Sequence, residues 1–486
     1  MNFNEVIRKS EVINILSNLK LFRNLPKSKL SIISRLIRLE KFKNGNKIYC
    51  EGDKNYKFYI IKVGNVNIFS KGVLIKTLNP KNCFGERALL SNELRNETVI
   101  SKGYCEFYSL QKQDFLNNIG NNMKNFLNDR LYLEDNSIEL NNLYFIKEIS
   151  NGSFDKIDLV YCKKNSFFYV IKSIQKKKIF YHNLKKNLEI EKSILESIDN
   201  PFIIKLVKYL KDENHIYILM EYLIGKELFY VIRDIGLLNK QQTQFYIASI
   251  MIAINDLHKK KFIYRDLKPE NLIVLKNGYI KLIDFKTVKK LIDRTSTIIG
   301  TPQYMSPEVI LGENYSFAID FWSIAICAYE FFCGGVPFGE SYDDPMKIYN
   351  SIINDKLTFP NFCHDKEFML IMKQMLEKNP INRLCKFEAI RKHIWFNFFN
   401  WNELVSLNMK IPYFPIVKKK INIQSNDLLY DENKNILYNK NNNEEVFINY
   451  PDYINKNFIE YKTEKDIKSS NEDIDLFNKW FDSFYN

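Results

Sequence analysis

The spacing of apolar and polar positions changes along the chain, and the changes divide it into segments. Residues 1–20 place Val6, Ile7, Ile13, Leu16 and Leu19 at helical spacing, which predicts a short amphipathic helix. From about residue 21 to 112 the period falls to two, in short runs separated by turn residues. The run Lys57–Val63 predicts a strand, Gly64-Asn65 a turn, and Val66–Phe69 a second strand. With helical patterns at its edges, this block predicts a small antiparallel β-barrel or jelly roll. Residues 113–140 read as helix and linker. Residues 141–220 mix strands with one helix around Leu184–Ser197, and residues 221–396 are mainly helical. The apolar run Phe245–Ile254 is too short to span a bilayer and reads as a buried helix. From residue 397 the pattern is irregular, and Tyr438–Asn457, rich in Asn, Lys and Tyr, is expected to be mobile. The predicted fold class is multidomain α+β, with segments 1–20, 21–118, 119–140, 141–396 and 397–486.

Composition narrows the functional classes. The chain has 486 residues, room for two or three cores, and a net charge of +14. Its lysines are scattered among Asn and Ile, so no specific nucleic-acid partner is expected. The eight cysteines are far apart and form no Cys-x-x-Cys pair, which fits free thiols better than disulfides or zinc. With no apolar leader-like run and no membrane span, the expected location is the cytoplasm and the expected state a monomer.

One run carries most of the chemistry: Tyr264-Arg265-Asp266-Leu267-Lys268-Pro269-Glu270-Asn271, followed by Asp284-Phe285 on a predicted buried strand. Asp266 can orient a hydroxyl and accept its proton. Lys268 can neutralise a moving phosphoryl group, and Asn271 and Asp284 offer hard oxygens to Mg²⁺. Upstream, Lys172 in Val170-Ile171-Lys172 and Glu191 on the following helix can pair to hold the phosphates of ATP. The loop Ile149-Ser150-Asn151-Gly152-Ser153-Phe154-Asp155 occupies the phosphate-loop position, with Gly152 retained and Ser150 and Asp155 where glycines are usual. Asp155 puts negative charge near polyphosphate, which predicts weaker ATP binding or slower turnover. Lys286 follows Asp284-Phe285 where Gly is usual, and it either restricts Asp284 or disables the site. Thr297 sits where a phosphate could pair with Arg265 and order its segment. Glu308 and Arg383 are expected to form a buried structural ion pair, and Asp320 to brace the catalytic run.

Residues 141–396 therefore resemble a serine/threonine protein kinase of the AGC group. The Tyr-Arg-Asp run, Gly300-Thr301-Pro302 and the terminal Phe481-x-x-Phe484 carry that likeness. The resemblance implies a bilobal fold with ATP and Mg²⁺ between the lobes, and an AGC-type tail over 397–486. It places Met220 as gatekeeper and Glu221 to Leu223 as the hinge that meets adenine. It puts Ile149, Ile157, Val170 and Ile273 around the base and Glu227 at the ribose. Glu227, Glu270 and Glu330 match acidic positions that bind Arg or Lys, so the implied partners are proteins with basic residues before Ser or Thr.

A second run, Phe84-Gly85-Glu86-Arg87-Ala88-Leu89-Leu90 continuing to Arg95, resembles the phosphate cassette of cyclic-nucleotide-binding domains, as residues 21–118 do overall. Gly85 exposes amides, Glu86 can take a ribose hydroxyl and Arg95 can clamp a cyclic phosphate, with Ala88 in the same cassette. Asn96 leans towards cGMP over cAMP, while the charge of Glu97 could disturb the phosphate site. A nucleotide domain and an AGC kinase on one chain is the arrangement of cGMP-dependent protein kinases, and the motifs look closest to those of apicomplexan and related protists. The reading is a cyclic-nucleotide-regulated Ser/Thr kinase. Two alternatives remain: a pseudokinase acting as a nucleotide-responsive scaffold, and a constitutive kinase with a sensor that binds nothing.

Overall fold

The computed structural model describes residues 3–415, apart from 20, 23–24, 55, 91–93, 134–136, 183 and 292–295, together with 428–431, 436–439 and 445–448. The chain divides into two compact units. The first comprises Met1–Glu134 with Asn400–Lys410, and the second Asp135–Phe399 with Ile411–Asn486.

Six antiparallel strands build the first unit, and the long strands Lys57–Ser70 and Thr98–Gln111 pair along most of their length. Arg38–Phe42 and Lys47–Tyr49 pair with the second of these, and Val73–Leu78 and Cys83–Phe84 with the first. Period-two patterning drives Tyr59, Ile61, Val66, Ile68, Phe84, Val99, Cys105 and Phe107 into one core. One expectation is corrected here. Gly64-Asn65 is not a turn between strands but lies inside the continuous strand Lys57–Ser70, where the register shifts. Gly64 takes φ +85°, and a Cβ there would collide with the Tyr104 carbonyl, so the residue marks a bulge.

Helices Phe3–Asn18, Lys27–Leu36, Lys112–Leu116 and Asn121–Leu133 flank the sheet. Phe22 packs between Phe58 and Phe115, at ring separations of 5.4 and 5.5 Å. The late segment Asn400–Lys410 belongs to this unit, and the Asn122 amide donates to the Leu407 carbonyl at 3.2 Å.

The second unit opens with a five-stranded antiparallel sheet made of Leu143–Asn151, Asp155–Cys162, Phe167–Gln175, Leu206–Lys211 and His215–Glu221. Helix Lys185–Ser197 matches the predicted one, whereas helix Lys176–Tyr181 was not foreseen. Beyond Glu221 the unit is mostly helical. Helix Lys240–Lys259 starts at a capping box between Asn239 and Gln242 and buries the run Phe245–Ile254, except for Ile252, which is only partly covered. Helix Ala318–Cys333 is buried along nearly its whole length, with Trp322 wholly enclosed. A small sheet of Gly225–Glu227, Leu272–Leu275 and Ile280–Leu282 carries the loops of the site.

Two further expectations change. Asp284 is not on a strand: it stands two residues beyond Ile280–Leu282, at φ +59°. The chain after residue 397 is not irregular throughout. It forms helix Trp401–Val405 and an antiparallel sheet of Leu428–Asp431, Ile436–Asn439 and Glu445–Ile448. The Ile, Leu, Tyr, Phe and Val in those strands outweigh the surrounding Asn and Lys. Phe481 and Phe484 lie outside the described residues.

Candidate functional site

The run Tyr264–Asn271 crosses from strand Phe262–Ile263 to strand Leu272–Leu275. Asp320, near the start of the largely buried helix Ala318–Cys333, anchors it. Its carboxylate accepts the Tyr264 and Arg265 amides, both at 2.9 Å, and lies 2.7 Å from His258 Nε2. That anchor maintains Arg265 at φ +73°, a backbone angle rare for an arginine. The Asp266 carboxylate then accepts from both the amide and the hydroxyl of Thr301, at 3.0 and 2.8 Å. Lys268 Nζ donates to the same hydroxyl at 2.8 Å and stands 3.5 Å from Asp266 Oδ2. The Asn271 amide nitrogen donates to the Asp266 carbonyl at 2.8 Å. Thr301 was recognised in the sequence only as part of Gly300-Thr301-Pro302. Its hydroxyl joins the acid and the lysine, and nothing local in the sequence announces that.

Opposite this loop, Lys172 Nζ donates to both oxygens of Glu191, at 2.7 and 3.0 Å. Burial alone would lower the lysine's pKa, but Glu191, then Asp155 and Asp284, hold it above its ordinary value. Asp155 Oδ2 is 3.6 Å from Lys172 Nζ and 2.9 Å from Lys286 Nζ. Lys286 also lies 3.7 Å from Asp284 Oδ2. Two of the three positions that depart from the kinase pattern in sequence, Asp155 and Lys286, therefore meet each other in space.

The residues assigned to the base lie on the five-stranded sheet, apart from Ile273, which is on the small three-stranded sheet. Val170 stands opposite both Leu159 and Met220, Ile157 opposite Lys172, and Ile273 opposite Glu227. Gly152 sits at the hairpin tip, its amide donating to the Asp155 carbonyl at 2.9 Å, and Ile149 is exposed. Glu221 accepts the Lys205 amide at 2.7 Å and pairs with Lys281, which fixes the start of the segment leading to Leu223.

Three carboxylates gather nearby. Burial and then the charge of Glu270 push Glu227 above the usual carboxylate range. Burial is also the main cause raising Glu330, although Tyr304 donates its hydroxyl to Glu330 at 2.7 Å and opposes the shift. Glu270 Oε2 is buried without a hydrogen-bond partner. Such a group invites a cationic guest. Arg265 Nε donates to the Thr287 carbonyl at 2.6 Å, and its Nη1 is 3.4 Å from the Tyr315 hydroxyl, which in turn donates to the Thr297 carbonyl at 2.8 Å. Thr297 itself is exposed.

In the first unit Arg95 is buried, its Nη2 donating to the Lys57 carbonyl at 2.6 Å. The guanidinium lies 3.7 Å over the Tyr49 ring, a contact absent from the sequence reading. Burial pulls its pKa down, and the neighbouring Tyr49, Tyr59, Asp53 and Glu86 act against that. Arg95 Nε has no hydrogen-bond partner, and Gly85, at φ +77°, stands so close that a Cβ would lie 2.5 Å from Nη1. A buried guanidinium whose Nε–H lacks a partner, beside a glycine, fits an anion such as a cyclic phosphate. Glu86 is half-buried, Asn96 is exposed, and Ala88 lies in the short helix Arg87–Leu90.

The donor set also suits a hard cation at the catalytic loop. Among the described residues there is no cluster of three or more His, Cys, Asp or Glu able to hold a metal. Mg²⁺ would instead rest on Asn271 and Asp284 with phosphate oxygens, a sparse protein ligand set that Mg²⁺ accepts.

Residues 143–396, more than half of the sequence, match the family model described as protein kinase domain, and the chain belongs to the protein kinase family. Residues 39–122 match the model for the cyclic nucleotide-binding domain. The chain is similar to the cGMP-dependent protein kinase of Plasmodium berghei (strain Anka), 36% identical over 404 residues, covering 82% of this chain and 47% of that protein. It is 34% identical to the cGMP-dependent protein kinase of Eimeria tenella over 419 residues, covering 85% and 42%. It is 32% identical to cGMP-dependent protein kinase 2 of Homo sapiens over 458 residues, covering 83% and 60%. The chain thus spans less than half the length of these two protist relatives. No helix among the described residues is long and apolar enough to cross a membrane.

Proposed function

We propose that the chain is a serine/threonine protein kinase regulated by a cyclic nucleotide, cGMP in preference to cAMP. One observation carries the reading: the Asp266 carboxylate, joined through Thr301 to Lys268, shares a unit with the buried Lys172–Glu191 pair. Asp266 orients the acceptor hydroxyl of Ser or Thr and takes its proton. Lys268 neutralises charge on the transferring phosphoryl group, and Lys172, held by Glu191, positions the phosphates of ATP. Mg²⁺, when bound at Asn271 and Asp284, supplies further charge neutralisation at those phosphates. Met220 and the segment Glu221 to Leu223 bound the adenine, with Ile149, Gly152, Ile157, Val170 and Ile273 around the nucleotide.

Glu227, Glu270 and Glu330 select basic residues before the target, supported by the partnerless Glu270 oxygen. In the first unit Arg95 and Glu86 take the cyclic phosphate and the ribose, and the polar side chain of Asn96 favours guanine. The cGMP-dependent relatives support the same choice. The nucleotide must bind the active state more tightly than the inactive one, or it shifts nothing.

The test is phosphate transfer from ATP·Mg²⁺ to a basic serine peptide by the full chain, with and without cGMP. Asp266→Asn is expected to lower kcat by about 10²–10⁴-fold, the usual worth of a positioned base. No transfer from folded wild-type protein would replace this reading with the scaffold.

A further inference from the structure

Asp155 and Lys286 are both anomalous where they stand. Each occupies a position where the kinase pattern has glycine; from sequence, Asp155 predicts weaker nucleotide binding, and Lys286 either restricts Asp284 or disables the site. In the structure they form one ion pair, with Lys286 Nζ 2.9 Å from Asp155 Oδ2 and 3.2 Å from Oδ1. The same Oδ2 is 3.6 Å from Lys172 Nζ, so one buried carboxylate is held between two ammonium groups. Each lysine has a second acid as well: Glu191 at 2.7 Å for Lys172, and Asp284 at 3.7 Å for Lys286. Removing Asp155 from between them would leave neither lysine without a carboxylate.

A carboxylate and a phosphate oxygen make the same kind of charge-assisted contact with an ammonium group. The place between Lys172 and Lys286 is therefore an anion subsite, already filled by the protein's own anion. We propose that Asp155 is a built-in competitor for the nucleotide's phosphates, and that Lys286 is a second phosphate-holding cation once the Asp155 side chain has been displaced. The proposal rests on the kinase reading, since it takes Lys172 as a phosphate ligand. It adds a residue to the nucleotide site and a penalty on nucleotide entry.

The geometry makes the competition specific to phosphates. Asp155 lies at the foot of the hairpin whose tip is Gly152, and its carbonyl already accepts the Gly152 amide at 2.9 Å. A Cβ on Gly152 would stand 2.9 Å from Asp155 Oδ1, so that glycine gives the carboxylate room. The residues assigned to the base, Met220 and Ile273 among them, take no part in this cluster. Nucleosides without phosphates should therefore not register the contest.

The experiment is equilibrium binding of adenosine, ADP and ATP to the full chain by titration calorimetry, with and without Mg²⁺. Wild type is compared with Asp155→Asn, Lys286→Met and the double variant. Asp155→Asn is expected to tighten ADP and ATP on the order of tenfold, the scale of one charge-assisted hydrogen bond, and to leave adenosine unchanged. Lys286→Met should weaken ATP and, in the double variant, reduce the gain from Asp155→Asn. If Asp155→Asn fails to fold, Asp155→Gly serves as the second variant, with the same expectation. ATP affinity that is unchanged or weakened on removing the Asp155 charge overturns the proposal, as does an equal gain for adenosine. The two readings fail separately. This order of affinities without phosphate transfer would sink the kinase and keep the subsite. Transfer with no change in affinity would do the reverse.

Discussion

Glu330 is mostly buried, where a carboxylate's charge is unwelcome. Burial raises its pKa, and Tyr304 and Arg233 only partly offset that. Glu227 is raised too, by burial first and Glu270 second. A carboxylate with a raised pKa picks up its proton at a higher pH than an ordinary one. As pH falls, these acids therefore lose their charge early, and with it the hold on a guanidinium that the proposed function gives them. KM for an arginine-containing peptide is expected to rise on acidification, beginning at a higher pH than an ordinary carboxylate would give, while KM for the same peptide without arginine stays level. Glu330→Gln should raise KM for the arginine peptide by about tenfold, one charge-assisted pair, and flatten its pH profile. Equal pH dependence for both peptides would contradict the assignment. At this scale the sequence showed what lies close together along it. Asp266, Lys268 and Asn271 read directly because one loop carries them. The hydroxyl of Thr301, 35 residues from Asp266, and the ring of Tyr49 against Arg95 did not, because a contact made by folding leaves no spacing in the chain. Asp155 and Lys286, 131 residues apart, do not read as a pair in the sequence for the same reason.

Between elements, the pair Glu308–Arg383 ties the segment after Gly300 to the far end of the second unit. Arg383 donates from Nη1 and Nη2 to the two Glu308 oxygens at 2.6 and 2.8 Å, with both side chains almost wholly buried. Its Nε also holds the Glu377 carbonyl at 2.8 Å, and the guanidinium lies 4.9 Å from the Trp322 ring centre. Arg383→Ala leaves the Glu308 carboxyl unpaired in the interior and is expected to cost about 3–5 kcal/mol. Chemical denaturation of the second unit measures this, and a change below 1 kcal/mol would mean that water reaches Glu308. At the start of helix Lys240–Lys259, Asn239 accepts the Gln242 amide and Gln242 returns the bond to the Asn239 amide. Asn239→Ala should cost about 1 kcal/mol in the same measurement. Long apolar patterns were legible in part: the buried run Phe245–Ile254 reads as helix and the first unit reads as antiparallel β, though without the bounds of Lys240–Lys259 or Lys57–Ser70. Gly64 misled because glycine marks turns and bulges alike, and the partner strand Thr98–Gln111 decided between them. Asp284 was placed on a strand because apolar neighbours surround it, yet its left-handed φ shows that the strand had already ended.

At the scale of the whole molecule, two compact units carry two side-chain clusters: buried Arg95 beside Gly85 in one, and Asp266 joined through Thr301 to Lys268 in the other. The presence of both was legible from two short runs, because each packs its chemistry into about ten consecutive residues. Segment 397–486 was the least legible. Its residues Asn400–Lys410 return to the first unit, and no local pattern reports a destination that distant. The central claim is that nucleotide at Arg95 controls transfer at Asp266. Its most direct test is the initial rate of phosphate transfer to a basic serine peptide by the full chain as cGMP is raised, in wild type and in Arg95→Ala. The account predicts a saturable rise in wild type and, in Arg95→Ala, either no rise or one that needs at least tenfold more cGMP, with Asp266→Asn inactive throughout. A wild-type rate indifferent to cGMP, or an Arg95→Ala protein stimulated as readily as wild type, would contradict it.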